Sequence, residues 1–250
     1  MEHPLVSIIT PTFNAEKYVG ETISSVIAQT YKNWELLITD DCSTDKTKEI
    51  VTHYSKEDSR IKLFALSKNV GAGEARNNSI KNASGRFMAF LDGDDLWLPN
   101  KLEKQIGFML INNYPLSYTS YIKIEENGKE KGIIHVPEKA YYKDLLNTNV
   151  IATLTTIYDS EILGKCYMNT LKKRQDYCLW LSILKRIDFA SGIDEVLAKY
   201  RVSKSSLSGN KLSAMTYQWK VYREIEKLGL LKSIYHFINY AFYGYLKYVK

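Results

Sequence analysis

The feature that most limits what this chain can fold into is a strand–helix alternation across its first hundred residues. Val6–Thr10 is a short β-branched run that ends at Pro11. Tyr18, Ile23, Val26 and Ile27 then recur with helical spacing, Leu36–Thr39 reads as a buried strand, and a helix is expected from Thr44 to Tyr54. Ile61–Leu66 predicts a third strand, Gly73–Ala83 a third helix and Phe87–Leu91 a fourth strand. Strands joined through helices run parallel, because a parallel neighbour is reached only by a long crossover. The rhythm therefore implies an α/β fold, a doubly wound and mostly parallel sheet with helices on both faces. Ligands of such sheets bind beyond the carboxyl ends of the strands. The polar residues to weigh are those that follow strands: Pro11–Asn14, Asp40–Ser43, Lys68–Arg76 and Asp92–Asp95.

Past Pro99 the alternation loosens. Lys101–Ile111 predicts a helix, and Tyr118–Glu125 with Gly132–Val136 are expected to pair around Asn127-Gly128. Asp176–Arg186 predicts another helix, Glu195–Val202 a late strand, and from Ala214 two helical segments split near Gly229. A chain of 250 residues has room for one large α/β domain with an appendage. No stretch reaches ~18 uninterrupted apolar residues, so a spanning helix is not expected. Neither is a leader peptide, since Pro4 and the first strand begin almost at once. The three cysteines (Cys42, Cys166, Cys178) are odd in number and lack C-x-x-C spacing, which suits a reducing, cytoplasmic setting. The histidines His3, His53, His135 and His236 are scattered, against a His-rich metal cage. A formal charge of +6 suits anionic partners: nucleotide diphosphates, acidic headgroups or nucleic acid. No basic run or recognition motif supports nucleic acid, so none is expected.

Asp92-Gly93-Asp94-Asp95 directly follows a predicted strand, so its carboxylates project from a carboxyl edge. Hard divalent cations take carboxylate oxygens and accept substrate phosphates as further ligands. The same tetrapeptide can also be an acidic turn that caps the next helix. Asp40-Asp41 follows the second strand in the same way and can accept hydrogen bonds from a base or ribose. Asp41, Ser43, Thr44 and Asp45 are equally competent helix caps, and both uses can coexist, with Ser43 or Thr44 as the cap. Gly71-Ala72-Gly73-Glu74-Ala75-Arg76 lacks the full dinucleotide fingerprint but opens a helix whose amides and Arg76 can face phosphate or base. By spacing alone Arg76 is as much a surface charge, and Asp176 an N-terminal helix cap.

Taken in order, these segments resemble the family 2 inverting glycosyltransferases with the GT-A fold, across residues 5–208. Val6 to Asn14 is similar to that family's opening strand and nucleotide-binding turn, which implies donor contacts by Pro11, Thr12 and Asn14. Glu35 to Asp45 resembles the second-strand motif, giving Asp41 the contact to uracil. Asn69-Val70-Gly71 through Arg76-Asn77 is similar to the segment that closes over the nucleotide. Asp92-Gly93-Asp94-Asp95 resembles the Asp-X-Asp motif, which implies a divalent metal, Mn2+ or Mg2+, held by Asp94 and Asp92, with Asp92 also toward the donor. Gln175-Asp176 with Leu179-Trp180 resembles the Glu-Asp motif of the catalytic base; glutamine replaces the glutamate, and the base aspartate is Asp176. Tyr200-Arg201 through Ser208 resembles the segment that closes the donor site, with Arg201 toward the diphosphate. Ser203 stands where several relatives carry histidine, so no metal ligand is expected from that loop.

The resemblance implies a Rossmann-like catalytic domain over residues 1–209, with a nucleotide-binding half (1–99) and an acceptor half (100–209), and a helical extension over 210–250. It implies an inverting hexosyltransferase that moves glucose or galactose from a UDP-sugar to a lipid-diphosphate-linked saccharide, as in bacterial O-antigen or capsule assembly. Two other classes stay open on the residues: a nucleotide-sugar-binding module without catalysis, and a nucleotidyltransferase using the paired aspartates. Neither needs Asp176. In the tail, Ile234, Phe237, Ile238, Ala241, Phe242 and Tyr245 share one face at helical spacing, flanked by Lys232 and Lys247. Such a helix can lie in the headgroup layer of the inner face of the cell membrane, or pack on the domain or across a dimer.

Overall fold

The computed structural model describes residues 3–202 and 211–249, with side chains for residues 3–202 and 213–244. The expected donor-closing segment Ser203–Ser208 lies outside the described residues, as do the side chains of Tyr245 and Lys247.

The alternation of the first hundred residues folds as expected. Strands β1 (Val6–Thr12), β2 (Trp34–Asp40), β3 (Ile61–Ala65) and β4 (Phe87–Phe90) alternate with helices α1 (Val19–Ile27), α2 (Thr47–Glu57) and α3 (Ala72–Asn82). The four strands lie side by side in the order β3-β2-β1-β4, every pairing parallel. Every residue of β1, β2 and β4 is buried, as a sheet covered on both faces requires. Side-chain alternation then divides the core. Ile8, Leu36, Ile38 and Ala89 pack with Val19, Ile23 and Val26 of α1 and Val51 of α2. Ile9, Leu37, Met88 and Phe90 pack with Ile80 of α3 on the opposite face. Each of these side chains other than Ala89 contributes about 1.5–3 kcal/mol by leaving water.

The second half continues the same sheet. It contains β5 (Leu96–Trp97), α4 (Lys101–Asn112), β6 (Leu116–Ile124), β7 (Glu130–Ile134), β8 (Lys139–Ala140), α5 (Tyr142–Asn147), a 3-10 turn at Thr153–Thr155, β9 (Ile157–Asp159), α6 (Ser160–Leu163), α7 (Gln175–Leu184) and β10 (Ala190–Arg201). The sheet runs on from β4 as β9-β6-β10-β5, with β9 antiparallel to both its neighbours and β10 parallel to β6. Helix α4 buries Leu102, Gln105, Ile106 and Met109 and stops where Asn113 turns left-handed at φ 53°. There the Tyr114 N–H reaches back to Met109 O at 3.0 Å, satisfying a carbonyl at the helix end. The hairpin forms about Gly128, at φ 84°, whose N–H donates to Glu125 O at 2.9 Å. The late strand is longer than expected, because β10 begins at Ala190 and follows β6 through two register shifts.

Helix α8 (Lys211–Lys220) passes into a π-helical turn at Val221–Ile225, and after Gly229 comes α9 (Leu230–Val249). The expected apolar face of α9 needs correction. Phe237 is turned inward against Trp219, ring centroids 5.6 Å apart, and His236 Nδ1 lies 2.9 Å from Asn147 Oδ1. The exposed stripe is instead Leu231, Ile234, Tyr235, Ile238 and Phe242, which share one helical face. Among the described residues no helix is long and apolar enough to cross a membrane.

Candidate active site

Three loops meet where the parallel strands end. Beyond β1, Asn14 adopts a left-handed φ of 49°, which its short amide tolerates by bonding locally. Its Oδ1 accepts from the Thr44 N–H at 2.9 Å, and its own N–H donates to Ser43 Oγ at 2.9 Å. Ser43 and Thr44 are thereby tied to the β1 loop. Neither caps α2, whose N-cap Lys46 makes no side-chain bond to the helix; just before it, Asp45 Oδ1 accepts from the Thr47 N–H at 3.0 Å.

Beyond β2 the paired aspartates separate in role. Asp40 is fully buried and accepts from the Ser43 N–H at 2.9 Å and the Thr12 hydroxyl at 3.3 Å. Asp41 faces the loop before α3: Oδ1 accepts from the Val70 N–H at 2.7 Å and Oδ2 from the Gly71 N–H at 2.8 Å. Gly71 sits at φ 93°, where a side chain would be strained. Of the amides expected to face a phosphate at the start of α3, that of Gly71 is thus held by the protein's own carboxylate. Each carboxylate oxygen retains another lone pair, so Asp41 can hold this loop and still receive a ring N–H.

Beyond β4 the acidic motif folds across the end of β1. A Cβ on Gly93 would lie 3.0 Å from Thr12 Cγ2 and 3.4 Å from Pro11 O, so glycine permits the crossing. Asp92 forms an ion pair with the buried guanidinium of Arg76. Burial, then the charge of Asp92, raises Asp94 to about 6. Burial followed by Asp94 and Asp92 pushes Asp95 well above the usual carboxylate range. Asp95 Oδ1 accepts from the Arg201 N–H at 2.8 Å. Arg201, expected at the donor's diphosphate, directs its guanidinium to Asp94 O at 2.9 Å, Glu126 O at 3.1 Å and Glu21 Oε2 at 2.7 Å. In this arrangement it builds the main chain beneath the motif.

Asp176 lies in the first turn of α7, where its Oδ2 accepts from the Thr153 hydroxyl at 2.8 Å. Burial opposes the charge of Arg76, yet Asp92, then Asp176 and Asp95, raise its pKa above the ordinary value. Arg76 therefore stands electrostatically between the β4 motif and the start of α7. The two helices approach closely: a Cβ on Gly73 would fall 2.6 Å from Gln175 Cδ. Thr153, the packing of Gln175 on Gly73 and the Asp95–Arg201 bond are contributions that nothing in the sequence announced. Thr153 sits in a run without helical or strand period, so nothing in the spacing marks it. Against α7 also lies a cavity of 360 Å³, lined by Tyr167, Asn169, Cys178, Ser182, Lys185 and Glu226, which includes none of the site groups.

Among the described residues no three His, Cys, Asp or Glu side chains form a metal cage. The donor set nevertheless suits a hard cation. Burial, and after it the charge of neighbouring aspartates, raises Asp94 and Asp95, and a divalent ion would relieve the repulsive part. Such an ion needs only one or two carboxylates when phosphates and water complete its shell.

A parallel first half with an acidic motif at its carboxyl edge, continued by a mixed sheet, is the architecture of a GT-A glycosyltransferase. The chain belongs to glycosyl transferase family 2, whose family model matches residues 7–163. It is 44% identical over 239 residues to the putative teichuronic acid biosynthesis glycosyltransferase TuaG of Bacillus subtilis (strain 168), with 95% of each chain covered. To the UDP-Glc:alpha-D-GlcNAc-diphosphoundecaprenol beta-1,3-glucosyltransferase WfgD of Escherichia coli it is 43% identical over 248 residues, 99% of this chain and 96% of that one. Its fold matches the mannosyltransferase PcManGT from Pyrobaculum calidifontis, solved with GDP-Man and Mn2+, at a TM-score of 0.70 and 17% identity over 92% of this chain and 66% of that one. Glycosyltransferases of this fold typically use a divalent metal.

Proposed function

We propose that this glycosyltransferase moves glucose from UDP-glucose, with inversion, to a lipid-diphosphate-linked sugar during assembly of a bacterial surface polysaccharide. The observation that carries the reading is that α3 touches both elements: its Arg76 pairs with Asp92, and its Gly73 packs against Gln175, the neighbour of Asp176. The relative named for UDP-Glc and a diphosphoundecaprenol acceptor supports this choice of substrates. Residues 1–99 serve the donor and 100–209 the acceptor.

Pro11, Thr12 and Asn14 line the nucleotide, and Asp41 receives the uracil ring N–H. Arg76 offsets charge on the diphosphate. A divalent metal, Mn2+ or Mg2+, held by Asp94 and Asp92, supplies further positive charge there when bound. Asp176 takes the proton from the acceptor hydroxyl as that oxygen attacks the anomeric carbon opposite the departing UDP, so an α-linked donor yields a β-linked product. General-base assistance of this kind is worth about 10²–10⁴-fold. Positioning and leaving-group stabilisation contribute the rest.

The acceptor's lipid suggests where the enzyme works. The stripe Leu231, Ile234, Tyr235, Ile238 and Phe242 offers an apolar helix face of interfacial character, with Lys232 exposed on the same helix. We assign α9 to the inner surface of the cell membrane, making the enzyme peripheral there.

The decisive experiment measures UDP release from UDP-glucose, UDP-galactose and UDP-GlcNAc, with and without a lipid-diphosphate-GlcNAc analogue, in manganese. Acceptor-dependent release with UDP-glucose is expected. Donor binding without release under any pairing would leave a non-catalytic nucleotide-sugar-binding module.

A further inference from the structure

We infer that the C-terminal helix positions the catalytic base: Tyr240 of α9, acting through Arg174, fixes the first turn of α7 and with it Asp176. The inference rests on the reading of Asp176 as the base.

Arg174 occupies the N-cap of α7 with φ 66° and ψ 22°. An L-residue resists that left-handed conformation unless a short polar side chain bonds locally, and arginine has none. The cap makes no side-chain hydrogen bond to its own helix. Instead the Arg174 guanidinium donates to the Tyr240 hydroxyl and lies 5.2 Å from the centre of that ring. A guanidinium has no acceptor with which to cap a helix N-terminus; this one instead bonds another element, and that element holds the backbone where it is.

The consequence reaches Asp176 through one helical turn. The Arg174 carbonyl accepts from the Cys178 N–H at 2.9 Å, so Arg174 closes the turn that contains Asp176. On its other sides this turn meets Gly73 of α3 through Gln175 and Thr153 through the carboxylate. Donor helix, 3-10 turn and C-terminal helix therefore bear on the same three residues, 174 to 176. Helix α9 is itself seated by His236 on Asn147 and Phe237 on Trp219. Its opposite face is the exposed apolar stripe, so whatever seats that face also bears on the base.

The test is a double-mutant cycle in the full chain with Tyr240→Leu, Arg174→Met and the pair combined, beside Tyr240→Phe and Asp176→Asn. Each single change should lower kcat by about 10-fold or more, since small misplacements of reacting groups have such effects. The KM for the sugar donor and the melting temperature should stay at wild-type values. Tyr240→Phe, which keeps the ring under the guanidinium, should recover part of the loss. The combined variant should be no slower than the slower single one, because both remove the same clamp. Wild-type kcat in Tyr240→Leu, or losses that multiply in the pair, would overturn the inference. So would a loss that merely tracks the unfolded fraction, measured by UDP titration. Full turnover by Asp176→Asn would overturn the base assignment itself, a failure distinct from that of the clamp.

Discussion

Asp176 and Asp94 are both aspartates at the edge of an apolar element, set in different surroundings, and the proposed function gives them different work. Asp176 accepts from the Thr153 hydroxyl in the first turn of α7, and as the proposed base it takes the acceptor's proton. Asp176→Asn keeps the shape and loses that capacity. Turnover should fall by at least ~10²-fold while UDP binding and melting temperature hold. Single-turnover rates beside UDP calorimetry check this, and a folded variant with normal turnover would return Asp176 to a helix cap. Asp94 sits beside two other carboxylates that a cation would reconcile. Asp94→Ala should shift the manganese dependence to higher concentration and lower the maximal rate, because the departing diphosphate loses part of its compensating charge. Activity of the wild type undiminished by excess chelator would exclude the metal role. The residue types were legible in the sequence in both cases. Their partners were not: Thr153 lies 23 positions before Asp176, in a segment without periodic pattern.

At the scale of elements, the amphipathic helices carry the clearest expectations. Helix α9 presents Leu231, Tyr235 and Ile238 to solvent at 83%, 62% and 62% exposure, whereas Phe237 is packed. The full chain should therefore sediment with anionic liposomes at low salt, and Ile238→Glu should release it without altering UDP affinity. Unchanged sedimentation of that variant would remove the stripe from the interface. Helix α4 holds a different kind of test. Lys101 is fully buried, its Nζ donating to Gln105 Oε1 at 2.7 Å and lying 4.3 Å from the Trp97 ring centre. Burial pushes its pKa well below 10.5. Between that lowered native value and the unfolded one, the unfolded chain carries the proton and the native protein does not, so stability rises with pH across the window. Denaturant titrations of wild type and Lys101→Met from about pH 7 to about pH 10 should show the wild type gaining on the variant as pH rises. A difference that stays constant would mean that the native protein keeps this ammonium charged.

For the whole molecule, donor binding and stability are linked, because the Asp41 loop, the β4 motif and α7 belong to one sheet and its covering helices. UDP with manganese at a hundredfold excess over Kd should stabilise the protein by about 2.7 kcal/mol, a rise in melting temperature of about 5–10 °C. Asp41→Ala should abolish most of that rise while lowering the unliganded melting temperature far less. Equal shifts with UDP and CDP in the wild type would count against uracil recognition by Asp41. The sequence alone determined the parallel half, because β-branched runs, helical spacing and turn residues are local signals that tertiary context did not override from Val6 to Phe90. It also determined which carboxylates stand at strand ends, since each directly follows a strand. Only the tertiary structure decided their use. Asp41 is turned to the α3 loop, Arg201 passes beneath the acidic motif, and β9, a three-residue strand, joins the two halves by pairing antiparallel with both β4 and β6. Those outcomes depend on contacts between residues far apart in sequence. Local propensity carries no information about such partners, whose geometry exists only once the sheet has closed around them.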